Sequence, residues 1–263
     1  MCRAVIARLA PAVGVVDLTH GVPRGDVLAG AVMLADCVPH LPPGVSLAVV
    51  DPGVGTARAA VAVRARLRGR PHWFVGPDNG LLAPAVAACG GAAAAWTLPV
   101  PADLPATFHG RDVFAPAAAR LAAAADPGSL AEPLDPRALR PLPLPRATVG
   151  PGRLSAEVLL VDGFGNLSLA AHPVDLRGAG LRPGERLSVR VEDPAGAGGS
   201  QVHPAALGRT FADVAPERLL VHIDAAGRVA VAVNGGSAAE RLDAGRGMPL
   251  TLARLGGGRS GAL

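Results

Sequence analysis

The sequence predicts two domains: an α/β N-terminal domain, with a mostly parallel sheet flanked by helices, and a smaller all-β, barrel-like C-terminal domain. Three observations predict this. In the first half, short β-branched runs alternate with alanine-rich helical stretches. In the last third, short strand-like runs bounded by Gly, Pro and Asp follow one another with no long helix between most of them. Between the two, residues 126–151 hold seven prolines and no sustained periodicity, which reads as a linker. The expected boundaries are therefore 1–125, a linker over 126–151, and 152–263.

In chain order, residues 13–16 read as a strand ending at Asp17, and 26–37 as a helix closed by Pro39 and Pro42. Residues 46–50 are a continuous apolar run, the pattern of a strand buried on both faces of a parallel sheet. Strands follow at 59–63 and 73–75, with helices at 81–89 and 115–125. Residues 80–102 carry no charge, but Pro84, Gly90, Gly91, Pro99 and Pro101 make them a helix, a turn and a strand in place of a membrane span. In the second domain, strands are expected at 156–161, 187–191, 219–223, 229–233 and 250–255, and 256–263 as a frayed tail.

Composition excludes several classes. Of 263 residues, 50% are hydrophobic and 17% charged, so the chain can bury a core and is not disordered. All 25 basic residues are arginine, yet the net charge is only +4 and aromatics are 3%, which argues against a nucleic-acid surface. The arginine run 64–70 is read as a solvated strand end or turn. Cys2, Cys37 and Cys89 form no CxxC pair, and no HxH or HExxH pattern occurs, which disfavours a disulfide framework or a metal site. Arg8 and Pro11 interrupt the only leader-like stretch, so a soluble, cytoplasmic protein is expected.

Three polar turns stand where α/β proteins gather ligands. They are 51–58 after the apolar run, 76–80 after the 73–75 strand, and 107–112 before a helix. Singly, each reads as a good turn sequence, and Asp112 as a helix cap. Together with two other segments they form a pattern. DLTHGVPRGDV from Asp17, VVDPGVGTAR from Val49, FVGPDNGLL from Phe74, TFHGRDVFAPAAARLA from Thr107 and VDGFGNLSL from Val161 share the order and spacing of one family. In this the chain resembles the S-adenosyl-L-methionine (SAM) hydroxide adenosyltransferases, relatives of the SAM-dependent fluorinase and chlorinase.

The resemblance implies hydrolysis of SAM to adenosine and methionine by water attacking the ribose 5′ carbon, with SAM as substrate and no cofactor. It places the catalytic Asp, Arg and His on Asp51, Arg58 and His109, where Asp51 and His109 would hold the water and accept its proton while Arg58 fixes the carboxylate. Substrate contacts would fall on Phe108 and Gly110, on the adenine turn Asp162, Phe164 and Asn166, and on Asn234, Ser237 and Ala238. Phe164 could pack on the base or anchor the turn. In the halogenating relatives the position of Asp51 is not acidic, that of His109 is not histidine, and a halide-contacting serine would replace Gly110, so water is the expected nucleophile. The resemblance also implies a homotrimer whose active sites lie at subunit interfaces. The family's first strand, with a ribose-gripping aspartate, would precede Met1. Its absence leaves three readings: a hydrolase, an impaired SAM- or adenosine-binding homologue, and a structural oligomer.

Overall fold

The structure, a computed structural model, describes residues 1–192 and 201–255; the expected tail lies outside them. The chain divides into two compact units, Met1–Pro143 and Leu144–Leu263.

The sheet of the first unit contains β1 (Val45–Leu47), β2 (Ala60–Leu67), β3 (Arg70–Pro77), β4 (Ala94–Leu98) and β5 (Glu132–Leu134), in the order β1-β3-β2-β4-β5. Only β1 and β3 run parallel; the β2–β3, β2–β4 and β4–β5 pairs are antiparallel. The mostly parallel sheet is thus corrected to a mixed one. Its cause is local. Arg68 at φ 51° and Gly69 at φ 76° both adopt left-handed geometry, the requirement of a two-residue hairpin turn, and reverse the chain between β2 and β3. The arginine run is the end of that hairpin.

The apolar run expected as a strand at 46–50 forms only the short β1, parallel to β3, with Val49 beyond it 40% exposed; in β2 the apolar residues 60–63 are covered on both faces. Val61, Val63 and Ala65 pack with Ala31 and Leu34 of α2 (Val27–Cys37) and Ala85 of α3 (Ala83–Ala88). Ala60 and Ala62 face the other way, toward Phe114 and toward Ala118 and Leu121 of α4 (Ala115–Ala122). Successive strand residues point to opposite faces, so two covered faces produce an unbroken apolar run whatever the strand direction. On the α4 side, Ile6 of α1 (Cys2–Leu9) packs with Ala115 and Ala119. Asp26 caps α2 by accepting the Ala29 N–H at 2.9 Å, a contact generally worth about 1 kcal/mol.

Two other expectations change. Residues 13–16 form no strand: they join no ladder, the Val13 N–H turns back to the Ala10 carbonyl at 3.0 Å, and Val16 is 81% exposed. The proline-rich segment is not a linker throughout, because Glu132–Leu134 pairs with β4 while β6 (Thr148–Gly150) belongs to the second unit. Pro133 is tolerated in β5 because that strand lies at the sheet edge.

The second unit is a closed barrel. Strands β7 (Arg153–Val161), β8 (Leu167–Leu169), β9 (Arg186–Val191), β10 (Val202–Leu207), β11 (Leu219–Ile223), β12 (Val229–Val233) and β13 (Pro249–Arg254) run in the order β13-β9-β10-β11-β12-β8-β7, and β13 pairs back onto β7. All pairs are antiparallel except β10–β11, and β6 adds to β7. Closure removes the free edges that an open sheet would expose. The interior is filled by Leu154, Leu167, Leu187, Val231, Leu250 and Leu252, all fully buried. Two short helices, α5 (Pro173–Gly178) and α6 (Ala238–Leu242), complete the unit. Among the described residues, no helix is long and apolar enough to cross a membrane.

Candidate active site

In the first unit, the loop 51–58 leaves the sheet after β1 and returns into β2. Two turns fold it back: the Val54 N–H donates to the Asp51 carbonyl at 3.3 Å, and the Thr56 hydroxyl to the Gly53 carbonyl at 2.7 Å. Gly55 at φ +78° sits where an added Cβ would come within 3.0 Å of the Ala106 carbonyl oxygen, so both its conformation and its space favour glycine.

Folding back brings Arg58 onto Asp51. Arg58 Nε donates to Asp51 Oδ1 at 2.8 Å and Nη2 to Asp51 Oδ2, a bidentate pair in which both side chains are 6% exposed. Nη2 also donates to His109 Nδ1 at 3.1 Å, Nη1 donates to the Ala59 carbonyl at 3.3 Å, and the guanidinium lies 5.2 Å from the centroid of the Phe114 ring. A guanidinium has no acceptor, so His109 Nδ1 must offer its lone pair and the ring proton resides on Nε2.

His109 is buried and leads into a π-helical turn, Gly110–Phe114, immediately before α4. Such turns recur at functional sites because they displace a side chain from helical register. Phe108 is 41% exposed, with the Arg111 guanidinium 4.8 Å from its ring centroid. Arg111 in turn chelates Asp112 at 2.6 and 2.7 Å and holds that carboxyl below the usual carboxylate range. At Gly110 an added Cβ would make only ordinary contacts, 3.7 Å to Val49 and 3.8 Å to Cys2.

The second unit assembles the other expected residues. Asp162 Oδ1 accepts the N–H groups of Phe164 and Asn166, both at 2.9 Å, and Oδ2 accepts the Asn166 side-chain amide at 2.8 Å. Asp162 therefore builds the turn, and Phe164 projects from it 81% exposed. Gly165 at φ +80° lets the turn lie against Ser237, since an added Cβ would stand 2.1 Å from its hydroxyl oxygen. Asp162, Phe164, Asn166 and Ser237 line an open cavity of about 910 Å³.

Two further expected residues, Asn234 and Ala238, also have partners within the barrel. The Asn234 amide donates to the Val214 carbonyl at 2.8 Å, and Ala238 is fully buried in the barrel core. The same cavity also takes in Ser168, Asp224 and Arg228, which sequence reasoning did not single out. Asp224 Oδ1 accepts the Ala226 and Arg228 N–H groups at 2.9 Å, Ser168 donates to its Oδ2, and Arg228 Nε donates to the Ser168 hydroxyl at 3.2 Å. The Asp-Ala-Ala-Gly turn sequence signals the Asp224 turn, and Ser168 lies within the VDGFGNLSL segment without standing out in it.

The sequence matches the SAM hydroxide adenosyltransferase N-terminal domain over residues 1–131 and the C-terminal domain of the same name over 156–251. The chain belongs to the SAM hydroxide adenosyltransferase family. Among its relatives, the (R)-S-adenosyl-L-methionine hydrolase of Salinispora tropica is 50% identical, covering 92% of this chain and 87% of its own length. The enzyme of that name from Thermus thermophilus is 39% identical, covering 95% and 92%. A fluorinase from Actinopolyspora mzabensis is 28% identical, covering 96% and 91%. Among solved structures, an uncharacterized conserved protein from Thermotoga maritima superposes with a TM-score of 0.85 at 30% identity, covering 96% of this chain and 94% of that one. The two family domains fall one in each compact unit, so the Asp51 cluster lies in the N-terminal domain and the Asp162 turn in the C-terminal domain.

Proposed function

We propose that the chain hydrolyses SAM to adenosine and L-methionine, with a water held by Asp51 and His109 attacking the 5′ carbon of the ribose. The 50% identity to a SAM hydrolase across most of both chains supports the reaction. The observation that supports the residues is the buried, bidentate Asp51–Arg58 pair with His109 hydrogen-bonded to the same guanidinium.

The chemistry suits this set. The water oxygen bonds to C5′ as the C5′–S bond breaks, and the electron pair leaves on sulfur as a neutral thioether. Methionine needs no protonation to depart, so no general acid is required. The remaining tasks are to aim the water and take its proton. Arg58 occupies one lone pair on each Asp51 oxygen, which leaves acceptor capacity for a water. His109, protonated on Nε2, donates to that water and turns a lone pair toward C5′, while Asp51 accepts the proton. Alignment of this kind supplies several kcal/mol of the barrier reduction.

Asp162, Phe164, Asn166 and Ser237 are the adenosine-side residues of the same proposal, with the ring of Phe164 available to stack on the base. Because the Asn166 amide donates to Asp162, its carbonyl oxygen is the atom offered to the adenine amine. The homotrimer and the cytoplasmic setting implied by the resemblance and the cysteine pattern belong to this proposal too. A mass by light scattering of three times the 26.2 kDa chain would support the trimer, and the mass of a single chain would overturn it. The reaction is tested by incubating the purified chain and its Asp51→Ala variant with SAM and separating products by chromatography. Adenosine and methionine in equal amounts from the parent, with adenosine lost in the folded variant, are expected. Equal turnover by both overturns the role of Asp51, and tight SAM binding without adenosine points to a binding protein.

A further inference from the structure

The loop that carries Asp51 and Arg58 is rooted at Val50 and Ala59, and both roots are tied to one turn. Asn79 Nδ2 donates to the Val50 carbonyl at 2.9 Å, and the Asp78 backbone N–H donates to the Ala59 carbonyl at 2.9 Å. The turn follows β3, the strand that lies between β1 and β2, so it emerges between the two roots. Its own position is fixed from behind: Asn79 Oδ1 accepts the Leu81 N–H at 3.1 Å and Asp78 Oδ1 accepts the Arg140 N–H at 2.9 Å. Gly76 allows the close approach this needs, since an added Cβ would stand 2.3 Å from the Ala48 carbonyl oxygen.

We propose that Asn79 is a positioning residue for the hydrolysis, holding the backbone from which Asp51 projects by clamping the Val50 carbonyl. This rests on the reading of Asp51 as the water-holding group. The residue type follows from the two tasks. One short side chain must donate forward to Val50 and accept backward from Leu81, and a primary amide does both. A carboxylate keeps only the acceptor and faces a carbonyl oxygen; an alanine keeps neither. Asp51 contributes through the alignment of its oxygens, and displacement of about 1 Å at such a group costs up to about 100-fold in rate.

The test compares Asn79→Asp and Asn79→Ala with the parent and Asp51→Asn, each assayed below its own melting temperature so that turnover is read per folded molecule. In both Asn79 variants kcat is expected to fall about 10- to 100-fold, with KM for SAM changing much less. A second readout does not need activity. The Nε–H resonance of Arg58, identified by its loss in Arg58→Lys, is expected to stand apart from those of exposed arginines in the parent and to merge with them in the Asn79 variants. Unchanged kcat in the folded variants overturns the proposal, and so does a fall in kcat with the Arg58 resonance unmoved. Full turnover by Asp51→Asn overturns the underlying site reading instead, and the Arg58 resonance then decides the clamp alone.

Discussion

Arg58→Ala tests the construction of the site through stability as well as rate. The substitution removes both hydrogen bonds to Asp51, the bond to His109 Nδ1 and the contact over Phe114, and leaves a 6% exposed carboxylate without its partner. Removing one member of a buried pair costs about 3–5 kcal/mol, chiefly for the charge left behind. With a urea slope of about 2 kcal/mol/M, the unfolding midpoint should fall by about 1.5–2.5 M. Fluorescence reports this unit alone, because both tryptophans, Trp73 and Trp96, lie in it. The double variant Asp51→Leu/Arg58→Met removes the stranded charge and should recover about 1–3 kcal/mol of the loss while remaining inactive. A loss below about 1 kcal/mol in Arg58→Ala, the scale of an exposed pair, would mean that the Asp51 carboxylate is not stranded in a buried site.

Three further outcomes follow. His72 is buried, with Gly44 N–H donating to its Nδ1 at 3.1 Å and its Nε2 2.9 Å from the Ser46 hydroxyl, and burial pushes its pKa down. The unfolded chain therefore binds the proton more readily, and stability of the first unit is lost as pH falls from about 6.5 toward the depressed value; urea midpoints measured from pH 7.5 to 5 should fall less steeply in His72→Gln. Gly165→Ala forces a side chain onto Ser237 at a positive φ, so adenosine affinity should drop by calorimetry, with a stability cost of at least about 1 kcal/mol in the second unit. Phe164→Ala removes an 81% exposed ring and should leave the barrel's melting unchanged, but weaken adenosine binding by about 1–3 kcal/mol if the ring stacks on the base.

Much of this site is legible in the sequence because its parts are local. The seven-residue spacing from Asp51 to Arg58, filled with Pro52, Gly53 and Gly55, lets the loop return on itself, and the pair forms. The Asp162 turn is likewise coded by its own side chain. Strand direction is not local in this way. The apolar residues 60–63 of β2 would look the same in a parallel strand and in an antiparallel strand covered on both faces, and the left-handed turn at Arg68-Gly69 sets its direction. Arg68 is not a residue type that announces φ > 0. The role of Asn79 is hidden for a different reason: Asn in a Pro-Asp-Asn-Gly sequence already satisfies a turn, and its partner Val50 is 29 residues away.

Hydrolysis in oxygen-18 water shows whether water attacks the ribose 5′ carbon. Adenosine carrying one heavy oxygen at the 5′ position and unlabelled methionine are expected, with formation lost in Asp51→Ala. Adenosine without the label, or a 5′-substituted nucleoside in its place, would contradict attack by water.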